Sequence, residues 1–193
     1  MSWNRRRLLQ AGGALAGVSA ASLLMGRVRA QEAPADPAAE ERGAPPARIA
    51  LRNLHTDERL EIKYSREGIY IPAALSAIEL LLRDFRTGEA HAIDPALLDY
   101  LVAVARTAGV DPKFDVISGY RSPQTNARLR EQSTGVAQHS LHMEGRAIDV
   151  RVAGLDCASL AAHAEGLKRG GVGYYRESDF VHLDTGAFRT WRG

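Results

Sequence analysis

The chain has 193 residues, one cysteine and six histidines, with 25 basic and 23 acidic side chains, a formal +2. The lone cysteine, Cys157, excludes an intrachain disulfide and argues against a cysteine metal cluster, so stability has to come from a core. Five arginines and no acid fall in residues 1–30, leaving 20 basic against 23 acidic residues, a formal −3; nothing in that balance suits a nucleic-acid partner.

In chain order, the first element is an export signal. Arg5, Arg6 and Arg7 precede an uncharged stretch from Ala11 to Met25, and Val28-Arg29-Ala30 offers a small-residue cleavage site. The apolar stretch is too short, and too rich in Gly, Ala and Ser, for a membrane span, so no stable membrane insertion of the mature chain is expected. Asn4-Arg5-Arg6-Arg7-Leu8-Leu9 resembles a twin-arginine signal, which implies a periplasmic protein exported by that route. Residues 1–30 are therefore read as the signal peptide. Residues 31–46, QEAPADPAAEERGAPP, are a flexible linker, and residues 47–193 one folded domain.

Within that domain, RIALRNL (48–54) and RLEIKYS (59–65) alternate apolar and polar residues around His55-Thr56-Asp57-Glu58, which predicts a β-hairpin. Leu75, Ile78, Leu81 and Leu82 recur at helical spacing, predicting a helix from Pro72 to Phe85. Asp94-Pro95 opens a second helix that runs to Ala108 and closes at Gly109. FDVIS (114–118) predicts a strand, Pro123 to Gln132 a helix, and AIDVRV (147–152) a strand. Asp156 caps a helix that runs to about Lys168. GVGYY (171–175) and FVHLD (180–184) predict two closing strands. Helices gather early and strands late, so the fold class is α+β: a small antiparallel sheet with helices packed on one side.

Strand alternation then sorts the polar residues. In FVHLD, His182 and Asp184 share a face. In AIDVRV, Asp149 projects from a strand whose Ile148 and Val150 turn into the core. Gly145 lets the loop from His142 turn tightly back beside Asp149. His142, Asp149 and His182 thereby form a trio at the sheet face. Two imidazoles and one carboxylate suit Zn²⁺ as three protein ligands with a fourth position left for water, the arrangement of a catalytic zinc rather than of a structural one. Satisfied polar residues without a metal are the alternative reading of the same trio.

The motifs narrow this choice. Ser140-x-His142-x-x-Gly145-x-Ala147-x-Asp149, the segment Ser118-Gly119-Tyr120-Arg121-Ser122 and a late His182 resemble the zinc D,D-peptidases of the M15 type. The ending Val172-Gly173-Tyr174-Tyr175…Phe180-Val181-His182-Leu183-Asp184-Thr185-Gly186 looks most like the branch that contains murein endopeptidase K. The resemblance spans about residues 47–193. It implies Zn²⁺ on His142, Asp149 and His182, with Arg121 holding the substrate carbonyl and stabilising the oxyanion. It implies a peptidoglycan endopeptidase that hydrolyses stem-peptide cross-links by a metal-activated water. The alternatives are a D-alanyl-D-alanine carboxypeptidase or dipeptidase on the same scaffold, or a non-catalytic wall-binding module stabilised by zinc. Many M15 peptidases carry a general-base Glu three residues before the last ligand, in E-x-W-H; here that slot is Asp179 and the Trp is absent. Asp184 is the rival, and alternation favours it as the catalytic base because it points where His182 points.

Overall fold

The computed structural model describes residues 47–193 apart from 133 and 134, all inside one unit, Pro37–Gly193. The expectations of a signal at 1–30 and a linker at 31–46 lie outside the described residues.

The hairpin forms where alternation puts it. β1 (Arg48–Asn53) buries Ile49, Leu51 and Asn53 and pairs antiparallel with β2 (Arg59–Lys63). Its turn is held by the Asn53 carboxamide oxygen, which accepts the backbone N–H groups of His55 and Thr56 at 2.9 and 3.3 Å. A two-stranded ribbon, β3 (Ser65–Arg66) and β4 (Ile69–Tyr70), follows. Helix α1 (Pro72–Leu81) ends four residues before Phe85, the end its leucine spacing predicts. Leu82 closes it, and Asp84 then starts a turn of its own, its carbonyl accepting from Gly88 N at 2.7 Å and its carboxylate from Arg86 N at 3.0 Å. Helix α2 (Pro95–Ala108) is capped as its sequence implies: Asp94 accepts from Ala96 N at 3.0 Å, and Gly109 takes the left-handed conformation at φ 69. β5 (Lys113–Ser118), α3 (Pro123–Gln132), β6 (Ala147–Val152), α4 (Cys157–Leu167), β7 (Gly171–Tyr175) and β8 (Phe180–Asp184) complete the anticipated elements. A last strand, β9 (Arg189–Arg192), lies beyond them.

The sheet differs from the small antiparallel one expected. It has seven strands in the order β2-β1-β5-β6-β8-β7-β9 and is mixed, with β1/β5 and β7/β9 parallel. Two crossovers explain this. The chain leaves β1 and β2, passes through α1 and α2, and re-enters beside β1 in the same direction. After β8, residues 185–188 reverse the chain and carry it past β7 to that strand's outer edge.

The pleat divides the sheet into two chemistries. One face carries Leu51, Phe114, Val116, Ile148, Val150, Val172, Val181 and Leu183, all buried, in one core with Leu97, Leu98, Leu101 and Val104 of α2 and Leu160, Ala161 and Ala164 of α4. Each of the Val, Leu, Ile and Phe side chains stabilises the fold by about 1.5–3 kcal/mol on burial. The Tyr100 hydroxyl donates to Ala164 O at 3.1 Å and ties α2 to α4. The other face carries Asp149, His182 and Asp184. Among the described residues, no helix is long and apolar enough to cross a membrane.

Candidate active site

Cross-strand register builds the site row by row. Asp149 on β6 pairs with Ser118 on one side and His182 of β8 on the other; His182 pairs with Gly173 of β7, and Gly173 with Trp191 of β9. His142 arrives from a 3₁₀ turn, Leu141–Glu144, that ends at Gly145 with φ 66. A Cβ at Gly145 would stand 1.9 Å from Ala92 O, so the turn needs glycine there.

The three expected ligands converge. His182 Nδ1 lies 2.9 Å from Asp149 Oδ1, His142 Nε2 lies 3.3 Å from the same oxygen, and the two ring nitrogens are 3.2 Å apart. The outer nitrogens are fixed by other partners: His142 Nδ1 donates to Gly119 O at 2.7 Å, and His182 Nε2 to Asp184 Oδ2 at 3.0 Å. Those bonds leave His142 Nε2 and His182 Nδ1 facing each other across Asp149. Donors about 2.0–2.1 Å from a tetrahedral Zn²⁺ lie about 3.3 Å from one another. The spacing and the outer bonds both fit such an ion, and these three residues are the ones among those described whose ligand atoms, all within 4.8 Å of one another, could hold a metal.

The electrostatics agree with a cation there. Burial acts against a charged His182, yet the Asp149 and Asp184 carboxylates prevail and push its pKa up to about 9. His142, fully buried, is pushed down by desolvation despite Asp149. Burial would raise Asp149, but the two imidazoles hold it well below the usual carboxylate range.

Arg121 stands beside this trio. Its backbone N–H donates to His142 O at 3.1 Å, and its Nη2 lies 3.7 Å from Asp149 Oδ2 and 3.5 Å from Ser118 Oγ. Its Nε is buried with no hydrogen-bond partner in the structure, and burial pushes its pKa down. The loop that bears it is anchored from the turn after α1: Asp84 Oδ2 accepts from Ser122 N and Oγ at 3.0 and 2.7 Å, and Tyr120 N donates to Leu82 O at 2.8 Å.

The two base candidates fall in different places. Asp184 is fully buried and does not line the cleft. Its carboxylate accepts from His182 Nε2, from Gly171 N at 3.1 Å, from Gly186 N at 2.8 Å and from both Nη atoms of Arg189 at 3.1 and 2.7 Å. Burial would raise its pKa, but His182 and Arg189 hold it well below the usual range. Asp179 sits at φ 51 with its carboxylate 3.3 Å from Arg151 and also takes no part in the cleft lining. Alternation thus places Asp184 on the right face, but behind His182 instead of in front of it.

A cleft of about 560 Å³ opens over the trio, walled by Arg121, His139, Tyr175, Phe180, Arg189 and Trp191, with residues 135–137 at its rim. Arg189 and Trp191 reach the site over two glycines. A Cβ at Gly173 would stand 2.4 Å from the Trp191 ring, and one at Gly171 would stand 2.3 Å from Asp184 Oδ2. Through the first opening Trp191 leans to 5.2 Å from the His182 ring, its Nε1 donating to the Tyr175 hydroxyl at 3.0 Å. The available signal was the period of two shared by Gly171-Val172-Gly173 and Arg189-Thr190-Trp191, small residues on one strand opposite large ones on the next.

Residues 41–191 match the family described as peptidoglycan L,D-endopeptidase MepK. The chain is 43% identical over 149 residues to the probable peptidoglycan L,D-endopeptidase MepK of Haemophilus influenzae, covering 77% of this chain and 80% of that one. It is 37% identical over 189 residues to the peptidoglycan L,D-endopeptidases MepK of Escherichia coli K12 and of Shigella flexneri, covering 97% of each chain. No solved structure matches.

Proposed function

The chain belongs to the M15-type family of peptidoglycan L,D-endopeptidases, and from that premise we propose that it is a zinc-dependent periplasmic peptidase that hydrolyses cross-links between peptidoglycan stem peptides. The observation that carries the reading is the convergence of His142 Nε2, His182 Nδ1 and an Asp149 oxygen on one point beneath the cleft. The relatives' names refine the substrate class from the D,D-linked peptides of the wider family to L,D-linked ones.

His142, Asp149 and His182 would hold the Zn²⁺, which would supply Lewis-acid polarisation and activate water near neutral pH. The protein's own residues do the rest. Asp184 holds His182 in the tautomer that presents Nδ1, and Gly119 O does the same for His142 Nε2. Arg121 aims an incompletely bonded guanidinium at the cleft, where it binds the scissile carbonyl and gains strength as negative charge develops on that oxygen. Because Asp184 is shut behind His182, the proton carrier is drawn from the cleft wall, and His139 is the imidazole there that lies outside the trio. It takes a proton from the attacking water and returns it to the leaving amine. The aromatic wall of Tyr175, Phe180 and Trp191 keeps the stem peptide against the sheet.

Purified L,D-cross-linked and D,D-cross-linked muropeptide dimers test the substrate. The L,D-linked dimer is expected to be split at least tenfold faster. Preferential release of a terminal D-alanine would favour a carboxypeptidase, and intact dimers with zinc bound would favour a wall-binding module.

A further inference from the structure

We propose that Arg189 is a positioning residue for the metal-ligand set, acting through Asp184 on His182, and that Gly171 is the opening that admits it; this rests on the zinc reading above. Four observations meet here. Asp184 is the carboxylate on which the outer nitrogen of His182 rests, at 3.0 Å. It is fully buried, so its oxygens rely on protein partners for their orientation. The cation that pairs with it is Arg189, in a two-pronged contact with Nη1 to Oδ1 at 3.1 Å and Nη2 to Oδ2 at 2.7 Å. That guanidinium comes from the edge strand β9, two strands away from β8 in the sheet, and it reaches across only because Gly171 has no side chain: a Cβ there would stand 2.3 Å from Asp184 Oδ2 and 2.6 Å from Arg189 Nη1.

The geometry divides the work between the partners. Gly171 N–H and Gly186 N–H hold Oδ1, while Oδ2 is shared by Arg189 and His182. Arg189 therefore sets the angle at which Oδ2 faces the imidazole, and a guanidinium fork fixes a carboxylate plane in a way that a point charge does not. Remove the fork and the carboxylate is free to turn about its remaining bonds. The His182 ring turns with it, away from the position that sets Nδ1 2.9 Å from Asp149. Arg189 is half-exposed on the cleft wall, so its replacement leaves no buried hole.

The test is zinc affinity, measured by competition with a chromogenic chelator on the purified chain, together with the low-field proton signal of the hydrogen-bonded His182 Nε2–H in the zinc-loaded protein. Arg189→Gln is expected to weaken zinc binding by roughly 10–100-fold, the usual effect of losing an outer partner of a ligand, and to broaden or shift that signal. Arg189→Lys, which keeps the charge and loses the fork, should recover only part of the affinity. Gly171→Ala, which closes the opening, should reproduce the Gln variant. An Arg189→Gln protein that binds zinc within about twofold of wild type and keeps the signal overturns the proposal. If that variant does not fold, Arg189→Lys decides alone, and wild-type affinity in it overturns the proposal equally. A wild-type chain without zinc overturns the metal reading, and this inference with it, an outcome distinct from intact binding in the variants.

Discussion

The opposed duties of Asp184 and His139 are the sharpest claim at the scale of single residues. Asp184 has no face on the cleft, and four groups occupy its carboxylate, so Asp184→Asn should act on metal retention before it acts on proton transfer. His139→Gln should do the reverse, keeping zinc while turnover falls by about 10²–10⁴-fold, the size of a lost general acid–base. Measuring zinc content and muropeptide release on the same preparations separates the two. If the Asn variant keeps its zinc but is dead, Asp184 carries the proton after all. The meeting of His142, Asp149 and His182 was legible from sequence, because strand alternation sets Asp149 and His182 on one face and Gly145 turns His142 back toward them. Arg189 was not legible. Its role depends on a register between β7 and β9 and on what a glycine omits, and the matching small and large residues of the two strands carry that meaning only once the pairing is known.

Between elements, two junctions govern the site. The first is Asp84, buried after α1, which holds Ser122 and thus the loop that carries Arg121. Burial would raise its pKa, but the Thr125 and Ser122 hydroxyls and the backbone N–H groups prevail and lower it to about 2, below the ordinary value of 3.8. A depressed carboxylate contributes stability that is present above its unfolded pKa and is lost as pH falls through the folded one. The stability gap between wild type and Asp84→Asn should therefore be constant above about pH 4 and shrink between about pH 4 and 2, as chemical unfolding at a series of pH values would show. A gap unchanged at pH 2 would mean that the ionised carboxylate is not what anchors the loop. The second junction is Gly173. A methyl group there meets the Trp191 ring at 2.4 Å, so Gly173→Ala should drive the indole off His182. The only other tryptophan, Trp3, lies in residues 1–30, so in a chain without them the emission reports Trp191 alone and should shift to the red. Strands and helices were largely legible from periodicity and capping. The mixed order of the sheet was not, since the β1/β5 pairing spans two helices and no local pattern records it.

For the whole molecule, one division of labour runs through the sheet. One face is packed with the side chains of α2 and α4; the other is left open and carries Asp149 and His182, the Arg189 guanidinium and an aromatic wall on four neighbouring strands. The rigid core fixes the backbone positions of Asp149 and His182, and the loops supply His142 and Arg121. That arrangement suits a polymer substrate, which has to lie along an accessible surface rather than enter a closed cavity. The direct measurement is muropeptide release from purified sacculi by the same preparation before chelation, after chelation, and after one equivalent of Zn²⁺ is restored. Release should disappear with the metal and return with it, and His182→Ala should abolish it under all three conditions. Release that survives complete removal of zinc, or that never occurs although zinc is bound at one per chain, would contradict the zinc-peptidase reading.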